Sequence, residues 1–160
     1  MVEMRTLEPI IKEHRFFKDL KQEYLDIIVG CGANVRFKAG DIIFKEGQEA
    51  NNFYLIREGL VAVDVPVGHH NAITIQTMSG GDILGWSWLI PPHQARFNCR
   101  ASQDTRAIAF DGACLRGKCE QNHDLGYELL MRLTTVVTKR LEATRLQLIN
   151  LHDKNVKPVG

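Results

Sequence analysis

Apolar residues divide the chain into three stretches of different period. In the first thirty positions, Leu7, Ile10, Ile11 and His14 begin a stripe, and Phe16 and Phe17 interrupt it. Leu20, Tyr24, Leu25, Ile27 and Ile28 then resume it at helical spacing, and Gly30-Cys31-Gly32 predicts the stop. From Ala33 to Asp111 short β-rich runs take over, at 34–37, 41–44, 53–57, 60–67, 72–78, 98–101 and 105–110. Turn signals part them: Ala39-Gly40-Asp41, Glu46-Gly47, Glu58-Gly59, Gly68-His69-His70-Asn71 and Ser79-Gly80-Gly81-Asp82. Short strands at this spacing, with no helices between them, predict an antiparallel sandwich or barrel.

Beyond Asp111 the helical period returns. Gly112 to Glu120 reads as a short helix with Asp111 as its N-cap, and Asp124 reads as the cap of a long helix from Leu125 to about Leu151. Along it Leu130, Thr134, Val137, Leu141, Thr144, Leu148 and Leu151 are spaced 4, 3, 4, 3, 4 and 3 apart, which is a heptad seam. Such a helix is roughly 40 Å long, more than a small barrel can cover. Of a core stripe and a parallel dimer interface, the dimer fits better. The expected organisation is a β-barrel domain with an N-terminal helix over 1–124, a dimerisation helix over 125–152 and a disordered tail over 153–160.

Composition narrows the class. Hydrophobic residues are 44% and charged residues 24% of 160, as in a globular chain with a sizeable core. Lys+Arg 20 against Asp+Glu 19 leaves +1, which argues against a dedicated nucleic-acid or anionic-membrane binder. No apolar window approaches the roughly 20 residues of a membrane span, and residues 1–5 open no apolar signal segment, so a cytoplasmic protein is expected. Cys31, Cys99, Cys114 and Cys119 form no C-x-x-C pair, so no disulfide framework is expected. Cys114 and Cys119 read as buried structural thiols. The adjacent His69-His70 reads as a solvated hairpin tip rather than a metal pair. No nucleophile elbow, phosphate loop or zinc-protease motif is present, so no enzyme is expected.

An ordered series of turns and strands carries a family resemblance. It runs Phe37-x-Ala39-Gly40-Asp41-x-Ile43-Phe44-x-Glu46-Gly47, then Phe53-Tyr54-x-Ile56-x-x-Gly59-x-Val61-x-Val63, then Gly81-Asp82-x-Leu84-Gly85. Met131-Arg132-Leu133 and Lys139-Arg140-Leu141-Glu142-Ala143-Thr144 continue it along the long helix. The chain thus resembles the cyclic-nucleotide-binding sensor domain of the catabolite activator (Crp/Fnr) family, over about Phe16 to Leu151. The resemblance implies a mainly β fold with flanking helices: an antiparallel double-stranded β-helix (jelly-roll) barrel followed by a long C-terminal dimerisation helix. In the resembled activators a helix-turn-helix module follows that helix. Nine residues follow Leu151 here, so no direct DNA binding is expected.

The resemblance also implies a ligand site formed by Leu84, Gly85, Trp86, Ser87, Arg96, Phe97, Asn98, Thr144 and Arg145. In the family a short helix after the Leu84-Gly85 position meets the cyclic phosphate, a glutamate after the glycine takes the ribose 2′-hydroxyl, and an arginine pairs with the phosphate. Here Trp86 stands at the glutamate position, Ala95 at the arginine position with Arg96 one step later, and Asn98 replaces a hydroxyl residue. Trp86 and Trp88 read either as filling or as a stacking platform. Thr144 matches a base-contacting threonine, and Arg145 replaces a serine that reaches the base from the opposite subunit. The implied function is a stand-alone regulatory sensor that binds a small anionic, cyclic-nucleotide-like ligand (cAMP or cGMP) and signals to a protein partner through a helix-mediated homodimer, with no metal or other cofactor. The alternative is a degenerate, ligand-free fold acting as a dimeric interaction scaffold.

Overall fold

The computed structural model describes residues 2–155, with side chains from residue 7 onward. Two helices, α1 (Val2–Glu13) and α2 (Gln22–Gly30), are the halves of the N-terminal stripe. The turn between them bears Asp19 at a left-handed φ of 63°. Leu7, Ile11, Phe17, Leu25 and Ile28 are buried. In the same turn His14 accepts the Phe16 N–H on Nδ1 at 3.1 Å. Burial, and secondly the Arg15 charge, pull the His14 pKa down to about 4 against the opposing pull of Asp82.

Eight strands follow: β1 (Gly32–Phe37), β2 (Ile42–Phe44), β3 (Asn52–Glu58), β4 (Leu60–Val67), β5 (Asn71–Ser79), β6 (Ile83–Leu84), β7 (Asn98–Ala101) and β8 (Thr105–Asp111). They form two four-stranded antiparallel sheets, ordered β1-β8-β3-β6 and β2-β7-β4-β5. Each strand run of the sequence is a strand here, and two-residue β6 is the addition. The register Phe53↔Phe110 and Leu55↔Ile108 sets the inner residues of β3 and β8 opposite each other. Trp88, Phe53 and Phe110 then stack, with centroids 5.0 Å and 4.6 Å apart. A second cluster joins Ile56, Val61, Val63, Met78, Leu84 and Cys99. Asp64 is buried between the strands of the second sheet and is satisfied there by Thr74 Oγ1 at 2.6 Å and Arg100 Nε at 3.3 Å.

One crossing depends on glycine. Gly59, between β3 and β4, has φ 111°, and a Cβ there would lie 2.5 Å from Thr105 Oγ1.

Helix α3 (Gly112–Gln121) starts as the sequence predicts, with the Cys114 N–H donating to Asp111 Oδ1 at 2.9 Å. Helix α4 (His123–Asn155) starts earlier than expected. Its capping oxygen is Asn122 Oδ1, which accepts the Leu125 N–H at 3.1 Å. Asn122 keeps the extended backbone a cap needs, whereas Asp124 lies inside the first turn as a favourable acid. At its far end α4 reaches Asn155, so the tail expected from 153 begins within the helix; residues 156–160 lie outside the described residues.

The cysteine expectation is overturned at one pair. Cys31 and Cys114 form a disulfide across 83 positions, with Cα atoms 6.2 Å apart. Sequence spacing could not reveal it, because only the fold brings the end of α2 beside the first turn of α3. Cys99 and Cys119 stay as thiols.

The chain divides into two compact units, Met1–Gly126 and Tyr127–Gly160. The described residues of the second, 127–155, all belong to α4. All seven seam positions, from Leu130 to Leu151, are exposed on it, Leu148 by 62%.

Candidate functional site

A cavity of about 160 Å³ opens in the first unit. One wall is the loop from β2 to β3, with Gln48, Glu49, Asn51 and Asn52; Ile43, Phe44 and Tyr54 also line the cavity. The facing wall is Gly85, Ser87 and the segment Ala95-Arg96-Phe97. Backbone bonds stitch the two walls: the Gly47 N–H donates to the Ala95 carbonyl at 2.8 Å, the Ala95 N–H to Gln48 at 2.8 Å, and the Ala50 N–H to His93 at 2.7 Å. Apolar Ile43, Phe44, Tyr54 and Phe97 also pack against the second core cluster, so the cavity is a continuation of the core.

Gly85 shapes the other wall. It takes φ 80° and caps the single 3-10 turn Trp86–Trp88, and a Cβ on it would come within 3.0 Å of the Asn52 carbonyl. Ser87 in that turn is 4% exposed, and its hydroxyl makes no hydrogen bond among the described residues. Arg96 is exposed at the rim and makes no ion pair or hydrogen bond among the described residues. The cavity therefore presents the Arg96 guanidinium, the Ser87 hydroxyl, the Glu49 carboxylate, several amides and a row of aromatic rings. That combination suits a small, partly flat anion.

The expected site residues distribute unevenly. Gly85, Ser87, Arg96 and Phe97 line the cavity. Leu84 lies next to it but points into the core cluster. Trp88 is core, stacked on Phe53, while Trp86 is half-buried, 6.5 Å from the Phe97 ring and outside the lining, so it does not plug the cavity. Asn98 spends its side-chain oxygen on the Glu46 N–H at 2.8 Å. Thr144 and Arg145 are exposed on α4 in the other unit, and the Thr144 hydroxyl donates to the Arg140 carbonyl at 2.9 Å. Gln48, Glu49, Asn51, Asn52 and Tyr54 were not anticipated, although the Glu46-Gly47 turn that starts their loop was visible. His69 and His70 are exposed at the β4–β5 turn, and no group of three metal-binding side chains occurs among the described residues. No described helix is long and apolar enough to cross a membrane.

Comparison with known proteins points the same way. The sequence profile of the cyclic nucleotide-binding domain matches residues 34–122. The cAMP-dependent protein kinase regulatory subunit of Dictyostelium discoideum is 28% identical over 112 residues, covering 70% of this chain and 34% of that protein. The CRP-like cAMP-activated global transcriptional regulator of Mycobacterium tuberculosis is 27% identical over 119 residues, covering 73% of this chain and 50% of that protein. The chain thus spans about half or less of the length of these curated relatives. Among solved structures, a Geobacter metallireducens GS-15 protein assigned as cyclic nucleotide-binding superposes with a TM-score of 0.76 at 31% identity, covering 88% of this chain and 99% of that one.

Proposed function

The chain belongs to the cyclic nucleotide-binding domain family, and from that premise we propose that it is a regulatory sensor that holds a small anionic, cyclic-nucleotide-like ligand in the cavity beside Ser87 and Arg96. One observation carries the reading: the Ser87 hydroxyl, with no hydrogen bond among the described residues, and the Arg96 guanidinium, with no ion pair among them, line one cavity between Gly85 and Phe97, with Glu49 on the loop that forms its other wall. Both groups are left to pair with a ligand. We read the two sheets as the walls of one jelly roll, the exposed seam of α4 as a homodimer interface, and the output as a protein partner in the cytoplasm. Regulation without catalysis agrees with the two curated relatives, a kinase regulatory subunit and a transcriptional regulator.

The test is calorimetric titration of the purified chain with cyclic AMP and cyclic GMP. Saturable binding of either at one site per chain, weakened at least about tenfold in Arg96→Ala, sustains the proposal. Absence of heat and of thermal stabilisation with both overturns it.

A second reading has its own support. Ala95 stands where the resemblance places the phosphate arginine, and Asn98 is committed to the Glu46 turn. If the cavity takes no anion, the fold serves as a dimeric interaction scaffold.

A further inference from the structure

We propose that the Cys31–Cys114 pair is a thiol–disulfide exchange site that adjusts the cavity through α3. Three links meet at the junction of β8 and α3. The Asp111 N–H donates to the Cys31 carbonyl at 3.0 Å, the Asp111 carboxylate accepts the Cys114 N–H at 2.9 Å, and the two sulfurs are joined. The disulfide therefore closes a ring around the cap of α3. The same helix end holds the cavity. The Gly112 N–H donates to the carbonyl of cavity-lining Asn51 at 2.7 Å, and a Cβ on Gly112 would sit 2.9 Å from that oxygen and 3.0 Å from Trp88 Cβ. One turn later the Arg116 guanidinium donates to the Trp88 carbonyl, beside Ser87. The start of α3 is thus fastened on one side by the disulfide and on the other to Asn51 of one cavity wall and to Trp88, the chain neighbour of Ser87 in the other wall.

Opening the bond removes the covalent fastening and leaves the hydrogen bonds. Cys31 is buried and Cys114 is half-exposed, so an incoming small-molecule thiolate such as glutathione reaches the Cys114 sulfur first. It forms a mixed disulfide there, and Cys31 leaves as a thiolate that takes up a proton. A second thiolate displaces the adduct and releases the external disulfide, while Cys114 takes up the second proton. Two electrons and two protons enter the protein, and the reverse reaction with the external disulfide restores the bond. In a compartment where small thiols keep such pairs open, the bond marks a change of redox state. Cys119, five positions along α3, is a poor participant: burial, and then Glu120, push its thiol pKa up.

The ligand consequence rests on the cavity being the ligand site. With the bond closed, the walls are held in place before the ligand arrives, and binding is tighter than with the bond open. The difference is at least about fivefold, the lower end of ordinary coupling between sites.

The test equilibrates the full chain in glutathione buffers running from fully reduced to fully oxidised, and reads three signals. After acid quenching, the mass read by maleimide labelling in denaturant goes from four free thiols to two. Emission from Trp86 and Trp88 follows the same transition, and cyclic AMP affinity differs between its ends. Cys114→Ala abolishes the transition, while Cys119→Ala keeps the mass step at one fewer thiol. Four reactive thiols in every buffer overturn the proposal, as does a two-thiol step that leaves both emission and affinity unchanged. If neither end binds a nucleotide, the ligand reading falls, while the mass and emission steps still decide the exchange.

Discussion

The side-chain oxygen of Asn98 accepts the backbone N–H of Glu46 at 2.8 Å. Asn98 opens β7, and Glu46 opens the loop that becomes one wall of the cavity, so the bond sets that loop against the sheet. Asn98→Ala is expected to cost about 1 kcal/mol in urea unfolding, the net worth of one such hydrogen bond. It should also weaken ligand binding through a looser wall. Asn98→Asp keeps an acceptor and should unfold within about 0.5 kcal/mol of the parent. Equal losses in both variants would mean that the amide, and not its oxygen, matters.

Arg96 separates ligand from fold. It is exposed and makes no ion pair or hydrogen bond among the described residues, so Arg96→Ala should leave the ligand-free protein within about 0.5 kcal/mol of the parent. Loss of its charged hydrogen bond to an anion costs about 1.5–3 kcal/mol, which weakens binding roughly 10- to 150-fold. Calorimetry on the variant reads this directly, and unchanged affinity would remove Arg96 from the site.

Much of the fold was legible because glycine turns punctuate its strands. Glu46-Gly47 and Glu58-Gly59 end apolar alternation on cue, and Asp111 sits where a capping oxygen is needed. Other features depend on long-range closure. Ala95 belongs to the cavity because its backbone pairs with Gly47 and Gln48, and no side-chain pattern encodes that pairing. Cys31 and Cys114 meet only after 83 positions have folded between them. Trp86 and Trp88 look alike in sequence, yet the 3-10 turn sends Trp88 onto Phe53 and leaves Trp86 half-buried.

The seam on α4 makes a quantitative demand. Leu141 and Leu148 are exposed on the single chain, and burying each against a second copy is worth about 1.5–3 kcal/mol. Leu141→Glu combined with Leu148→Glu removes this from both chains, so the dimer dissociation constant should rise more than about a thousandfold. Sedimentation velocity should then find a monomer with an unchanged far-ultraviolet dichroism spectrum. A double variant that sediments as the parent does would refute the seam.

Reduction should be visible as stability. A cross-link spanning 83 positions constrains the unfolded chain strongly, and its loss costs about 2–4 kcal/mol. The expected fall in Tm is on the order of 10 °C in a thermal scan with and without reductant. Cys31→Ala should match the reduced parent and gain nothing further from oxidation.

His14 gives the fold a slope on the acid side. Its ring is neutral in the folded state, with the pKa lowered to about 4 by burial first and by Arg15 second, against the opposing pull of Asp82. A base whose folded pKa lies below its unfolded value of 6.5 binds fewer protons folded than unfolded, so acid favours unfolding. The contribution of His14 is therefore intact above about pH 6.5 and is lost progressively as the pH falls toward 4. Because the ring is only partly buried, solvent screening reduces the effect to about 1–2 kcal/mol. Nδ1 accepts the Phe16 N–H, so the neutral ring carries its own proton on Nε2, which is buried without a partner; a second proton has to enter at Nδ1, where it breaks the Phe16 bond. His14→Gln keeps an amide oxygen near the Phe16 N–H and cannot titrate. The difference in unfolding free energy between parent and variant should be flat from pH 8 to about 6.5 and then shrink or invert by about 1–2 kcal/mol toward pH 4. A constant difference across that range would show that protonation of His14 plays no part in acid unfolding.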